Sequence, residues 1–199
     1  GAERVAKCNV SMASGLTYNY AAKQVNQQVL TVLQALADEA QLTEKFEDLY
    51  NGAVINTGEN RKVLHHLVRG QLGNDVAYDG KNARTFYKAQ QDAIADFAEK
   101  VHSGKIANAN GEKFTTVIQI GIGGSDLGPR AMYLALEQWA RANNKLKMQA
   151  KFISNVDPDD GAGVIASADL SHSLFILVSK SGTTQETLAN ELFVKDFLQ

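Results

Sequence analysis

Four hydroxyls, one ammonium group and a glycine occupy six consecutive positions, Ser179-Lys180-Ser181-Gly182-Thr183-Thr184. Placed ahead of a helix, such a run suits an oxyanion: hydroxyls donate hydrogen bonds, small residues let successive backbone N–H groups converge, and the helix dipole adds partial positive charge. A phosphate monoester, with several acceptor oxygens and about two negative charges, is the complementary ligand. The spacing G-x-x-x-x-G-K-S/T is absent, so a nucleoside triphosphate with Mg²⁺ is disfavoured and a phosphorylated small molecule fits better. Lys180 has two readings, one pairing it with the phosphate and one pointing it to solvent, and residue type alone does not choose. Thr183 and Glu186 stand at capping-box spacing, so part of the run is also expected to start a helix.

A second run, Gly121-Ile122-Gly123-Gly124-Ser125-Asp126, has three glycines that let backbone approach a ligand and a hydroxyl at a helix start. The third glycine of the dinucleotide fingerprint is not at its expected place, which disfavours NAD. The histidines, His65, His66, His102 and His172, read as structural. No histidine pair with a carboxylate has metal-ligand spacing, and no Ser or Cys sits in a nucleophile elbow, so metal and hydrolase chemistry are not expected.

These runs need elements to hold them. From Thr115 short aliphatic and β-branched runs alternate with helical patterns, as parallel strands with crossover helices require. Strands are predicted at Thr116 to Ile120, at Phe152 and Ile153, and at Leu174 to Val178, the last apolar enough for mid-sheet. A helix is predicted from Asp126, with Pro129 in its first turn and Met132, Ala135, Leu136, Trp139 and Ala140 inward, and another from about Thr184 towards Phe197. Asp157-Pro158-Asp159-Asp160 reads as a turn. Both candidate runs then fall at the carboxyl ends of their strands, where open parallel sheets bind ligands.

Before Thr115 the pattern is helical. Val25, Val29, Val32, Leu33 and Leu36 line one stripe, and shorter helices are predicted over Thr43 to Tyr50 and Arg61 to Arg69. A longer one is predicted over Arg84 to His102, with Ile94, Phe97, Ala98 and Val101 buried. The expected fold class is α/β, a three-layer doubly wound parallel sheet incomplete at the C-terminus, preceded by an N-terminal helical region. The expected domains are 1–83 and 84–199.

Composition removes other classes. The 199 residues are 44% hydrophobic and carry a formal net charge of −2, with 20 basic and 22 acidic residues mixed along the chain. That balance leaves no basic footprint for nucleic acid or an anionic membrane. No run approaches the about 18 apolar residues of a membrane span, and no secretory signal opens the chain. The single cysteine, Cys8, cannot form an internal disulfide, which fits a cytoplasmic protein.

The stretches IGIGGSDLGP from Ile120 to Pro129 and SKSGTTQET from Ser179 to Thr187 resemble the phosphoglucose isomerase family, built on the sugar isomerase (SIS) fold. NTGENRKVLHHLVR from Asn56 to Arg69, KVHSGK from Lys100 to Lys105 and FISNVD from Phe152 to Asp157 extend the resemblance from about Asn56 onwards. The family interconverts glucose 6-phosphate and fructose 6-phosphate through an enediol, in glycolysis and gluconeogenesis, without a cofactor. The resemblance implies that Ser179, Lys180, Ser181, Gly182, Thr183 and Thr184 form a phosphate loop and that Gly124 and Ser125 line the sugar. It also implies that the catalytic glutamate, with its arginine, lies in a later segment, so no residue here is assigned as catalytic. A histidine comes from the partner subunit, so the whole enzyme is expected to be a homodimer. Two departures stand out: Pro158-Asp159-Asp160 replaces a Gly-Thr-His run, and Ser181-Gly182 replaces a bulkier pair. A non-enzymatic sugar-phosphate sensor on the same fold is the alternative, weakened by the missing basic patch and helix-turn-helix.

Overall fold

The computed structural model describes residues 1–70 and 72–198, which group into two compact units, Gly1–Gln90 and Gln91–Gln199. In the first unit, α1 (Ala2–Lys7) leads into a hairpin of β1 (Asn9–Ser11) and β2 (Thr17–Asn19). Helix α2 (Gln27–Glu39) follows, its N-terminus capped by Asn26, whose side chain accepts from the Val29 N–H at 2.9 Å. Helix α3 (Leu42–Tyr50) and a second hairpin, β3 (Ala77–Tyr78) with β4 (Lys81–Asn82), complete the set before α4 (Ala83–Ser103). The two hairpins were not foreseen by the helical periodicity. The helix expected over Arg61 to Arg69 is only a 3₁₀ turn, His65–Val68. Leu64 and Leu67 still pack with Val76, Ala83 and Tyr87, so the apolar spacing reflects a local core rather than a full helix.

The second unit is a parallel sheet. Strands β5 (Thr116–Ile120), β6 (Gln149–Ile153) and β7 (Ser173–Leu177) lie in the order β6-β5-β7. They are joined by α5 (Gly124–Ala142) and α6 (Pro158–Ala166), and α7 (Gln185–Phe197) follows β7. Alternation along the strands sends Ile118, Ile120 and Phe175 to the face where α6 and α7 pack together, in a core with Ile153, Ile165 and Val194. Val117, Ala150, Leu174 and Ile176 go to the other face, where they line an apolar cavity of about 290 Å³ with Tyr133 of α5 and with Ile94, Phe97 and Val101 of α4. Helices on both faces make this the expected three-layer α/β arrangement.

Several details depart from the expected pattern. Among the described strands β5 is central, and the more continuously apolar β7 lies at an edge. The tetrapeptide read as a turn opens α6: Asp157 accepts from the Asp159 N–H at 3.0 Å, and Pro158 occupies the first helical position, where its missing N–H costs nothing. Helix α5 begins at Gly124, two residues early, and so places Pro129 in its second turn. There Pro129 cannot donate to the Ser125 carbonyl. The side chain of Gln119, buried in β5, donates to that carbonyl instead at 2.9 Å.

Of the stripe expected to point inward from α5, Ala140 is half-buried but Met132, Ala135, Leu136 and Trp139 are exposed, Met132 at 64% and Trp139 at 54%. The face towards the sheet carries Asp126, Arg130 and Tyr133. Asp126 pairs with Arg130 at 2.9 Å, Arg130 stacks over the Phe152 ring at 4.9 Å, and the Tyr133 hydroxyl donates to Glu137 at 3.0 Å. A polar face that closes its own hydrogen bonds can lie against a sheet, which periodicity of apolar residues does not reveal. On α4, Val101 is buried as expected, but Ile94 and Phe97 are exposed.

At the amino ends of the strands His172 ties two loops together. Its Nδ1 lies 2.8 Å from Asp169 Oδ2 and its Nε2 3.2 Å from Glu112 Oε2. The bond with Asp169, reinforced by both carboxylate charges, raises the imidazole pKa above its ordinary value. Hydrogen bonds from Asn108 hold Glu112, and those from Ser171 and His172 hold Asp169, below the carboxylate range. The imidazolium contribution is therefore complete below the unfolded histidine pKa, about 6.5, and is lost as pH rises through the higher folded value. The carboxylate contributions are present above the unfolded carboxylate values and are lost as pH falls through the depressed ones. Thermal melts of the chain and of His172→Gln are expected to differ most in mildly acidic buffer and to converge in alkaline buffer. A difference that grows with pH would contradict the clasp.

Candidate functional site

Strand order decides where a site can form. The chain leaves β5 for β6 on one side and returns past β5 to β7 on the other, so the connections diverge beyond the carboxyl ends of β5 and β7. Such a switch point opens a crevice in a doubly wound sheet. Both candidate runs border it, Gly121 to Asp126 after β5 and Ser179 to Thr184 after β7. They are held side by side by the Val178 N–H, which donates to the Ile120 carbonyl at 2.8 Å, while the Gly121 N–H reaches the Ile153 carbonyl at 3.2 Å.

Gly121 is required by closeness. A Cβ there would stand 3.1 Å from the Val178 carbonyl oxygen, from the Ser125 carbonyl oxygen and from the Ser125 Cβ. Gly123 and Gly182 have φ of +57° and +72°, the left-handed region that glycine enters without strain. Gly124 and Ser125 form the first positions of α5, with Ser125 half-buried.

The β7 loop organises its hydroxyls internally. Ser179 Oγ accepts from the Gly182 N–H at 3.0 Å and shares a hydrogen bond with Thr184 Oγ1 at 2.8 Å. Ser181 Oγ accepts from the Thr183 N–H at 3.1 Å and from the Thr183 hydroxyl at 3.0 Å. A hydroxyl oxygen has two acceptor positions, so Ser181 has both filled and its own proton is left to donate outward. In the Ser179 and Thr184 pair only one proton lies between the oxygens, which leaves the other hydroxyl's proton for an external acceptor. Ser181, Gly182, Thr183 and Lys180 are exposed, and Ser179 and Thr184 are half-buried.

The start of α7 is not closed by a side chain. Its N-cap is Thr184, which makes no side-chain capping bond. The capping box expected from Thr183 and Glu186 therefore does not form, because the helix begins one residue later than that pairing needs and Thr183 is turned to Ser181. The first-turn N–H groups and the dipole are directed at the loop, the arrangement that favours an anion.

Two residues that adjoin these loops in sequence or by a hydrogen bond had no chemical label in the sequence. Gln119 supports the Ser125 carbonyl, and its signal was a polar residue inside an apolar strand with a proline four residues after Ser125. Thr187 is buried in the first turn of α7. Asp126 of the β5 loop is paired with Arg130, and within the first unit His66 contacts the Tyr50 carbonyl at 3.2 Å. Among the described residues no group of three or more His, Cys, Asp or Glu could hold a metal ion, and no helix is long and apolar enough to cross a membrane.

The fold and the two loops define a class, a doubly wound α/β domain with a hydroxyl-rich loop at its switch point. Residues 19–199 match the family model described as phosphoglucose isomerase, and the chain belongs to that family. It is 61% identical over 197 residues to a glucose-6-phosphate isomerase of Treponema denticola, covering 99% of this chain and 37% of that protein. It is 53% identical over 203 residues to the corresponding protein of Treponema pallidum, covering 100% of this chain and 38% of the relative. A crystal structure of a glucose-6-phosphate isomerase from Chlamydia trachomatis is similar over the whole chain and 37% of that chain, with a TM-score of 0.75 and 34% identity. The chain thus spans somewhat over a third of the length of these relatives.

Proposed function

We propose that this chain supplies the phosphate- and sugar-binding part of a glucose-6-phosphate isomerase, which interconverts glucose 6-phosphate and fructose 6-phosphate. The observation that carries the reading is the loop after β7, where Ser181 Oγ accepts two hydrogen bonds from Thr183 and so keeps its own proton to donate, beside a helix start that no side chain caps. Ser179, Ser181 and Thr184 donate to the phosphate, the α7 dipole adds charge complementarity, and Lys180 and Thr183 complete the loop around Gly182. Gly124 and Ser125, across the switch point, line the sugar.

An aldose-ketose isomerisation moves a proton between C1 and C2 through an enediol, and a dianionic phosphate at C6 serves as a handle that holds the reacting end in place. The loops described perform that holding. The proton is moved by a carboxylate outside the residues assigned here, supplied by a later segment of the whole enzyme, which works as a cytoplasmic homodimer.

The test is a calorimetric titration of the chain with fructose 6-phosphate, inorganic phosphate, fructose and NAD, with an isomerase assay on the same sample. Fructose 6-phosphate and phosphate are expected to bind, fructose and NAD are not, and no turnover is expected. Affinity for NAD without affinity for phosphate would overturn the reading, and turnover by this chain would place the base within it.

A further inference from the structure

Gln119 is a polar side chain inside the sheet, buried in β5 between Ile118 and Ile120 of the core. In the parallel register it lies beside Phe152 of β6 and Ile176 of β7, on the face that α5 covers. An amide kept in such a place needs a partner. Its Nε2 donates to the Ser125 carbonyl at 2.9 Å.

Ser125 is the second residue of α5, and in a regular helix its carbonyl would accept from the N–H of residue 129. That residue is Pro129, which has no N–H and whose ring crowds the same carbonyl. The proline therefore removes the bond that would tie Ser125 to its own helix, and Gln119 ties it to the sheet instead. The phosphate loop takes its position from the same strand. The Val178 N–H, one residue before Ser179, donates to the Ile120 carbonyl at 2.8 Å, next to Gln119 along β5. Both walls of the crevice are thus measured from β5, one through its backbone and the other through the Gln119 side chain. A hexose phosphate spans the two walls, whereas inorganic phosphate occupies only the loop after β7.

We propose that Gln119 is a positioning residue for the sugar: by holding Ser125 to the sheet it fixes the sugar wall relative to the phosphate loop, and so sets affinity for a hexose phosphate without setting affinity for phosphate. This rests on the assignment of the two loops to phosphate and sugar. A wall that follows α5 rather than the sheet meets the sugar out of place, and a misplacement of about 1 Å is enough to spoil a positioned contact.

The experiment compares the unaltered chain with Gln119→Met, which keeps the length without the donor, with Pro129→Ala, which returns an N–H to the helix, and with the double variant. Calorimetry gives affinities for fructose 6-phosphate and inorganic phosphate, and thermal melts give stability. Gln119→Met is expected to melt lower, because the Ser125 carbonyl loses its donor, and to bind fructose 6-phosphate about tenfold more weakly with phosphate affinity unchanged. Pro129→Ala alone is expected to bind both ligands as the unaltered chain does, since a carbonyl oxygen accepts two bonds. The double variant separates positioning from stability. There the helical N–H satisfies the carbonyl and the melting temperature recovers, while fructose 6-phosphate affinity stays about tenfold low. Recovery of both would show that any donor to Ser125 serves, and would overturn the proposal. Normal fructose 6-phosphate binding by Gln119→Met, or an equal loss from Pro129→Ala alone, would overturn it too, with the phosphate loop still standing. If the unaltered chain binds phosphate but fructose 6-phosphate no more tightly, the sugar reading of Ser125 fails and this role with it. If it binds neither, the phosphate reading fails as well.

Discussion

Gly121→Val is expected to lower affinity for inorganic phosphate and fructose 6-phosphate by more than about tenfold, with a loss of about 1 to 3 kcal/mol in stability from overpacking. The first atom of the new side chain would lie 3.1 Å from two carbonyl oxygens and the Ser125 Cβ. One of those oxygens belongs to Val178, next to the phosphate loop, and the other is already tied to Gln119. Neither is the loose end of a flexible side chain, so relief requires the β5 and β7 loops to separate. Two walls of the proposed crevice then move apart at the point where they are joined. Gly163→Ala supplies the contrast: that exposed glycine of α6 has open space around it, so the change is expected to be neutral or to stabilise by about 0.5 to 1 kcal/mol. Calorimetry and melting curves on both variants decide the matter, and a Gly121→Val chain that binds normally would show that the loops act independently.

The same contacts explain how far residue order alone could carry. Strand β5 and the two small-residue loops were legible because each is written locally: an apolar run, and hydroxyls and glycines at a junction. Parallel strands were implied by the alternation with crossover helices, which put both loops at carboxyl ends; the order was not, since β7, apolar enough for mid-sheet, lies at an edge of the described sheet and β5 at its centre. What was not legible depends on groups distant in sequence or on backbone chemistry. Pro129 moved within α5 because Gln119, ten residues earlier, could satisfy the carbonyl the proline abandons. The α5 stripe was assigned inward because Met132 and Trp139 are apolar, whereas the sheet receives Arg130 stacked on Phe152. The capping box failed because Ser181, not the helix, took the Thr183 hydroxyl. Thr187 has no signature at all in sequence, since an enclosed hydroxyl is defined by what surrounds it.

Ser181→Ala is expected to weaken phosphate and fructose 6-phosphate by about 1 to 3 kcal/mol while leaving stability within about 0.5 kcal/mol, because the side chain is exposed. Its hydroxyl is the one whose bonding the loop determines: two bonds arrive from Thr183, both acceptor positions are filled, and its own proton remains to donate to the proposed phosphate. Bonds accepted by a hydroxyl polarise it and strengthen the bond it donates. Thr183→Val removes one of the two incoming bonds and leaves the Ser181 proton in place, so it is expected to cost less than Ser181→Ala, about 0.5 to 1 kcal/mol. The double variant is expected to lose little beyond Ser181→Ala alone, since Thr183 acts through Ser181 and coupled neighbours are not additive. Ser181→Thr, which retains the hydroxyl, is expected to restore most of the affinity. Equal losses from Ser181→Ala and Thr183→Val, adding fully in the double variant, would mean that each hydroxyl meets the anion separately and that the internal bonds of the loop do not orient it.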